Sequence, residues 1–118
     1  MAKLVIALHS HPSDSPNHET RSLLAFKYAR AAVACGHHIS MVFCYQQAVR
    51  LADPKHPHPH AREWQQWTAQ QEIPLVVCST VAEHVFALLS NQLQPGFSAG
   101  GLTEFAQAIA EADQLVQF

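Results

Sequence analysis

Four short apolar runs, at residues 3–8 (KLVIAL), 39–44 (ISMVFC), 74–77 (PLVV) and 114–118 (QLVQF), alternate with longer segments of helical character. That alternation constrains the fold more than any other feature of the chain. Nearly continuous apolar runs of this length read as strands buried on both faces. Strands separated by helices in turn call for a parallel sheet covered on both sides. The expectation is one three-layer, flavodoxin-like α/β domain over residues 1–118, with a mainly parallel sheet of four or five strands. The fifth strand, near Phe97, has the weakest signal.

The helical segments follow from spacing. Residues 19–35 place Leu24, Tyr28, Ala31 and Cys35 at intervals of four, three and four, which predicts one buried stripe closed by Gly36. Residues 61–71 set Trp64, Trp67 and Thr68 or Gln71 along one side. Residues 80–89 direct Val81, Val85 and Leu88 or Leu89 inward, and residues 102–112 do the same with Leu102, Phe105, Ile109 and Ala112. A short helix is expected at 45–51. Loops are expected at 9–18, at the Pro/His tract 53–60, and at 91–101.

Only 14% of the residues are charged while 48% are apolar, a balance that predicts apolar surface covered by partner subunits. The formal net charge is −2 and the seven Lys and Arg are scattered singly, so direct nucleic-acid binding is not expected. No apolar run reaches signal-peptide or membrane-spanning length, which predicts a cytoplasmic protein without membrane contact. Three widely spaced cysteines form no disulfide framework.

The chemical question is therefore which thiol reacts. Cys35 falls on the predicted apolar stripe and reads as structural. Cys44 closes the second strand with no activating charge after it. Cys78 stands where the third strand stops and a helix begins, at the carboxyl edge of the sheet, where ligands and catalytic groups gather in parallel α/β folds. Helix-start N–H groups favour thiolate over thiol, and Ser79 and Thr80 are expected as small polar caps that also donate hydrogen bonds. A buried structural thiol is the competing reading. His84 and His11 are further candidates for tuning the thiol, against a reading of both as solvated histidines.

Several chemistries are excluded by single residues. A phosphatase-type Cys-x5-Arg loop would need arginine where His84 stands. A Cys-x-x-Cys pair would need cysteine where Val81 stands. The first strand–helix turn has no glycine and two prolines, a poor cradle for a flavin or nucleotide phosphate. Metal binding is raised by His56-Pro-His58-Pro-His60 and by His9 and His11 with His18. Polyproline geometry would splay the first three rings apart, so no metal is assigned. What remains is a lone thiolate that accepts and passes on a group, and sulfur is the natural cargo.

The chain resembles the DsrE/TusD group of sulfur-relay proteins, most closely its TusD-like members. The likeness lies in residues 37–45 (HHISMVFCY), Trp64-Gln65-Gln66, the strand ending in Cys78, residues 93–97 (LQPGF) and the terminus 113–118 (DQLVQF). It implies a sulfurtransferase that carries persulfide sulfur on Cys78 from a TusA-like donor to a TusE-like acceptor, for 2-thiouridine formation in tRNA or for sulfur oxidation. It implies a hetero-oligomer with TusB-like and TusC-like subunits, and no cofactor. The segment between Cys78 and the Gln-x-Gly-Phe motif is shorter than the family pattern, and Cys44 stands where that pattern has Phe. A non-catalytic subunit of such a complex is the alternative.

Overall fold

A computed structural model describes residues 1–118. Five strands, β1 (Lys3–Leu8), β2 (His38–Cys44), β3 (Leu75–Cys78), β4 (Phe97–Gly100) and β5 (Gln114–Gln117), form one parallel sheet. Their order is β4-β3-β2-β1-β5. The weak signal near Phe97 is thus a true strand at the sheet edge. The helices are α1 (Pro16–Ala34), α2 (Pro59–Gln71), α3 (Ser79–Phe86) and α4 (Leu102–Glu111), and a 3-10 helix covers Gln46–Ala52. No helix is long and apolar enough to cross a membrane.

The strand order fixes the layers. The steps β1→β2→β3→β4 all run toward the same edge, so right-handed crossovers place α1, α2 and α3 on one face. The step from β4 back to β5 reverses direction and puts α4 on the other. Phe26 of α1 meets Trp64 and Trp67 of α2 edge-on, at 5.0 and 5.9 Å between ring centroids. On the opposite face Phe105 of α4 stacks on Phe43 of β2 at 4.3 Å. The first face holds most of the core. The second rests on one ten-residue helix that contains no fully buried residue.

Both long helices start earlier than composition suggested, for one reason. Ser15 caps α1 by accepting from the His18 N–H, and His58 caps α2 by accepting from the His60 N–H. Each cap is followed by a proline at the first helical position, where its missing N–H costs nothing.

Three helix faces differ from the spacing argument. The buried side of α1 is Ser22, Ala25, Ala29 and Ala32, whereas Leu24, Tyr28, Ala31 and Cys35 are exposed. Small residues let α1 lie close against the sheet, and the larger ones are left outside. In α3 Ala82 is buried and Val81 packs against the core as expected, but Val85 is 64% exposed, because Ala87 turns left-handed and ends the helix before Leu88 folds back into the core. On α4, Phe105, Ile109 and Ala112 are only half-buried and Leu102 is 52% exposed. The tryptophan face of α2 lies where it was expected, with Trp64, Trp67 and Thr68 buried.

The segments that carried the resemblance are largely fold devices. His37 Nδ1 accepts from the Ala2 N–H at 2.9 Å and fixes the start of β1. Gln94 Nε2 donates to the Leu51 and Asp53 carbonyls, fastening the entry of β4 to the 3-10 helix, while Gln65 Nε2 donates to the Pro95 carbonyl. Gly96 supplies the left-handed turn (φ +90°) between them. Asp113 clamps β5 to β1 by accepting from the Lys3 N–H at 2.7 Å and donating its own N–H to the Lys3 carbonyl.

Candidate active site

Cys78 is the last residue of β3 and the N-cap residue of α3. Helix α3 has no side-chain cap, so Ser79 and Thr80 do not serve as caps: they are its first two residues, and their backbone N–H groups lie in the turn where helices lack internal acceptors. The positive end of α3 therefore begins at the residue after the thiol.

Register decides which way the thiol faces. Ala7, Phe43, Val76 and Ser98 are aligned across β1–β4, and Phe105 of α4 lies against Phe43. Two residues on, Cys78 and its register partner Gly100 point to the same α4 side. Leu8, Cys44, Val77 and Ala99 form the adjacent row and face α1 and α2. Cys44 and Cys78 thus end neighbouring strands but lie on opposite faces of the sheet, and no disulfide can join them without remodelling the strand ends.

The environments of the three thiols differ. Burial pushes the Cys44 thiol up to about 12, so it is a neutral packing group. Cys35 is exposed. Cys78 is 0% exposed, with Gly100, the residue before the turn that starts α4, as its register partner. A Cβ on Gly100 would lie 2.7 Å from both Glu104 Oε2 and Val76 Cγ1. The absence of a side chain at position 100 is what lets the first turn of α4 close over the strand ends.

The histidines proposed for tuning the thiol lie elsewhere. His84 is exposed in the last turn of α3. His11 is buried against other groups: its Nδ1 accepts from the Ser13 N–H (3.2 Å) and lies 2.6 Å from the Ser13 hydroxyl, and its ring meets His58 edge-on at 5.5 Å. Desolvation, with the Arg50 charge second, lowers its pKa to about 4. The Pro/His tract also departs from polyproline geometry, because Pro59 already belongs to α2. His58 and His60 therefore meet at 4.8 Å, while His56 pairs with Asp53 at 3.0 Å. His9 packs on Tyr45, apart from His11. No group of three His, Cys, Asp or Glu side chains is arranged to hold a metal ion.

Comparison with known proteins agrees with this architecture. The chain is 34% identical over 109 residues to Sulfurtransferase TusD of Yersinia pestis (strain Pestoides F), covering 80% of this chain and 83% of that protein. It is equally similar to Sulfurtransferase TusD of Yersinia pseudotuberculosis serotype I (strain IP32953). Two solved structures share the fold over the whole of both chains at TM-score 0.76: the ychN protein from E. coli (22% identity) and the protein of unknown function MTH1491 from Methanobacterium thermoautotrophicum (16%). Residues 5–118 match the DsrE/DsrF-like family, and the chain belongs to it.

Proposed function

We propose that the chain is a sulfur-relay sulfurtransferase whose carrier is Cys78. The activity rests on its likeness to the TusD sulfurtransferases over most of both chains. The assignment to Cys78 rests on one observation above the others: it alone of the three thiols is the N-cap residue of an α-helix at the carboxyl edge of the sheet. The transfer needs no oxidant. The Cys78 thiolate attacks the outer sulfur of a donor persulfide, forming the Cys78 persulfide and releasing the donor thiolate. An acceptor thiolate then takes the same sulfur and returns Cys78 to the thiolate. The N–H groups of Ser79 and Thr80 stabilise the anionic forms in both steps.

The partners follow the same reading: a TusA-like donor, a TusE-like acceptor, and TusB-like and TusC-like subunits in a cytoplasmic complex serving tRNA thiolation. The thin α4 layer supports a hetero-oligomer, since its apolar residues are left half-buried beside the thiol. The burial of Cys78 favours a second reading, a structural subunit in which the thiol only packs. Intact-mass spectrometry after exposure to a persulfide donor separates the two. A gain of about 32 Da, one sulfur atom, mapped to Cys78 and lost in Cys78→Ser supports the carrier. No adduct from a competent donor, or sulfur on another cysteine, sinks it.

A further inference from the structure

At the far end of α3, about 12 Å of helix away from the thiol by the rise of eight residues, lies a cavity of about 540 Å³. Its polar lining is His11, Arg50 and His58 together with the Asp53–His56 pair, and Phe86 and Leu88 are its apolar residues. Nothing in sulfur transfer through Cys78 uses it.

The hydrogen bonds fix what the histidines offer. A backbone N–H has only one role, that of donor. The Ser13 N–H donates to His11 Nδ1 and the His60 N–H donates to His58 Nδ1. Each neutral ring must then carry its proton on Nε2, so both present a donor and neither presents a free ring lone pair. That arrangement disfavours a metal and favours an acceptor-rich ligand. Arg50 brings a permanent cation, already paired with Asp14, and the amino end of α2, with no acidic residue in its first turn, lies behind His58. The one carboxylate in the lining, Asp53, is engaged by His56 and the Lys55 N–H, and Asp14 lies outside it.

We infer that this cavity binds a small organic anion, with a phosphate-like or sulfonate-like oxyanion against His11, Arg50 and His58 and a flat or apolar body against Phe86 and Leu88. The volume exceeds what a bare tetrahedral ion fills, and the apolar wall has no other use for a charged ligand.

The test uses the full chain with 15N-labelled histidine rings. Inorganic phosphate and phenyl phosphate are titrated separately at constant ionic strength, following the His11 and His58 ring signals. Saturable shifts are expected with both probes, and phenyl phosphate should bind at least about threefold more tightly through its ring. Arg50→Gln should weaken both roughly tenfold. His58→Ser keeps a capping oxygen for α2 and removes one donor, so it tests the site if the Arg50 variant fails to fold. Absent saturation, or affinities unchanged in both variants, overturns the site. Equal affinity for the two probes overturns the role of the apolar wall. The outcome is independent of the Cys78 reading, because Cys78→Ser should bind phenyl phosphate as the parent does.

Discussion

Cys78 and Gly100 are register partners at the carboxyl ends of β3 and β4, and both face the side of the sheet that α4 covers. Gly100 has no room for a methyl group, with Val76 Cγ1 and Glu104 Oε2 each 2.7 Å from a Cβ there. The carboxylate is the end of a flexible side chain and can swing away; Val76 is anchored in β3. Gly100→Ala should therefore destabilise the fold by about 1–3 kcal/mol, as overpacking does. Denaturant unfolding checks this, and Glu104→Ala in the same background should recover only a minor part.

The thiols should separate by reactivity in the native chain. Cys35 is exposed and should be alkylated first by iodoacetamide at neutral pH. Cys44, raised to about 12 by burial, should stay unmodified until the protein unfolds. Peptide mapping over a time course reads the order directly, and early labelling of Cys44 would contradict its placement on the α1 and α2 face.

Access to Cys78 should depend on the short helix that follows it. Because α3 ends on Ala87 in the left-handed region (φ 52°), its last turn is strained. Ala87→Gly removes that strain and should stabilise the protein by about 0.5–1 kcal/mol. If opening of α3 exposes the thiol, the same variant should slow Cys78 alkylation several-fold by the corresponding factor. Faster melting on heating, or unchanged labelling, would argue that exposure follows another route.

The strands and the position of Cys78 were legible because a parallel α/β chain writes its strands as apolar runs. Cys78 falls where one of those runs stops. The face of α1 and the early end of α3 were not legible. Leu24 and Tyr28 are larger and more apolar than Ala25 and Ala29, so a reading by hydrophobicity picks the wrong stripe. Close approach of the helix to the sheet selects small residues instead. The gathering of His11, His58 and His60 was equally hidden. It depends on Pro59 serving as the first residue of a helix rather than as part of an extended tract, a choice made by the His58 cap. What spacing cannot show is which neighbour a loop meets, and the cavity is built from the loops before α1 and α2, the 3-10 helix and the end of α3.

His11 makes the fold sensitive to acid. It is 6% exposed and neutral in the folded state, where desolvation and the Arg50 charge bring its pKa from 6.5 to about 4. The unfolded chain takes up the proton first as the pH falls. Stability from this group is therefore complete above about pH 6.5 and is lost progressively down to about pH 4. The full shift corresponds to roughly 3 kcal/mol as an upper limit. His11→Gln keeps a polar group in the Ser13 turn without a titrating ring. Its unfolding free energy should start lower at pH 7, since the His58 ring contact and the Ser13 bonds are altered, yet fall less steeply between pH 6.5 and 4. Parallel pH profiles for parent and variant would place the acid sensitivity elsewhere, with His58, whose pKa is also lowered by burial and by His60, the next group to replace.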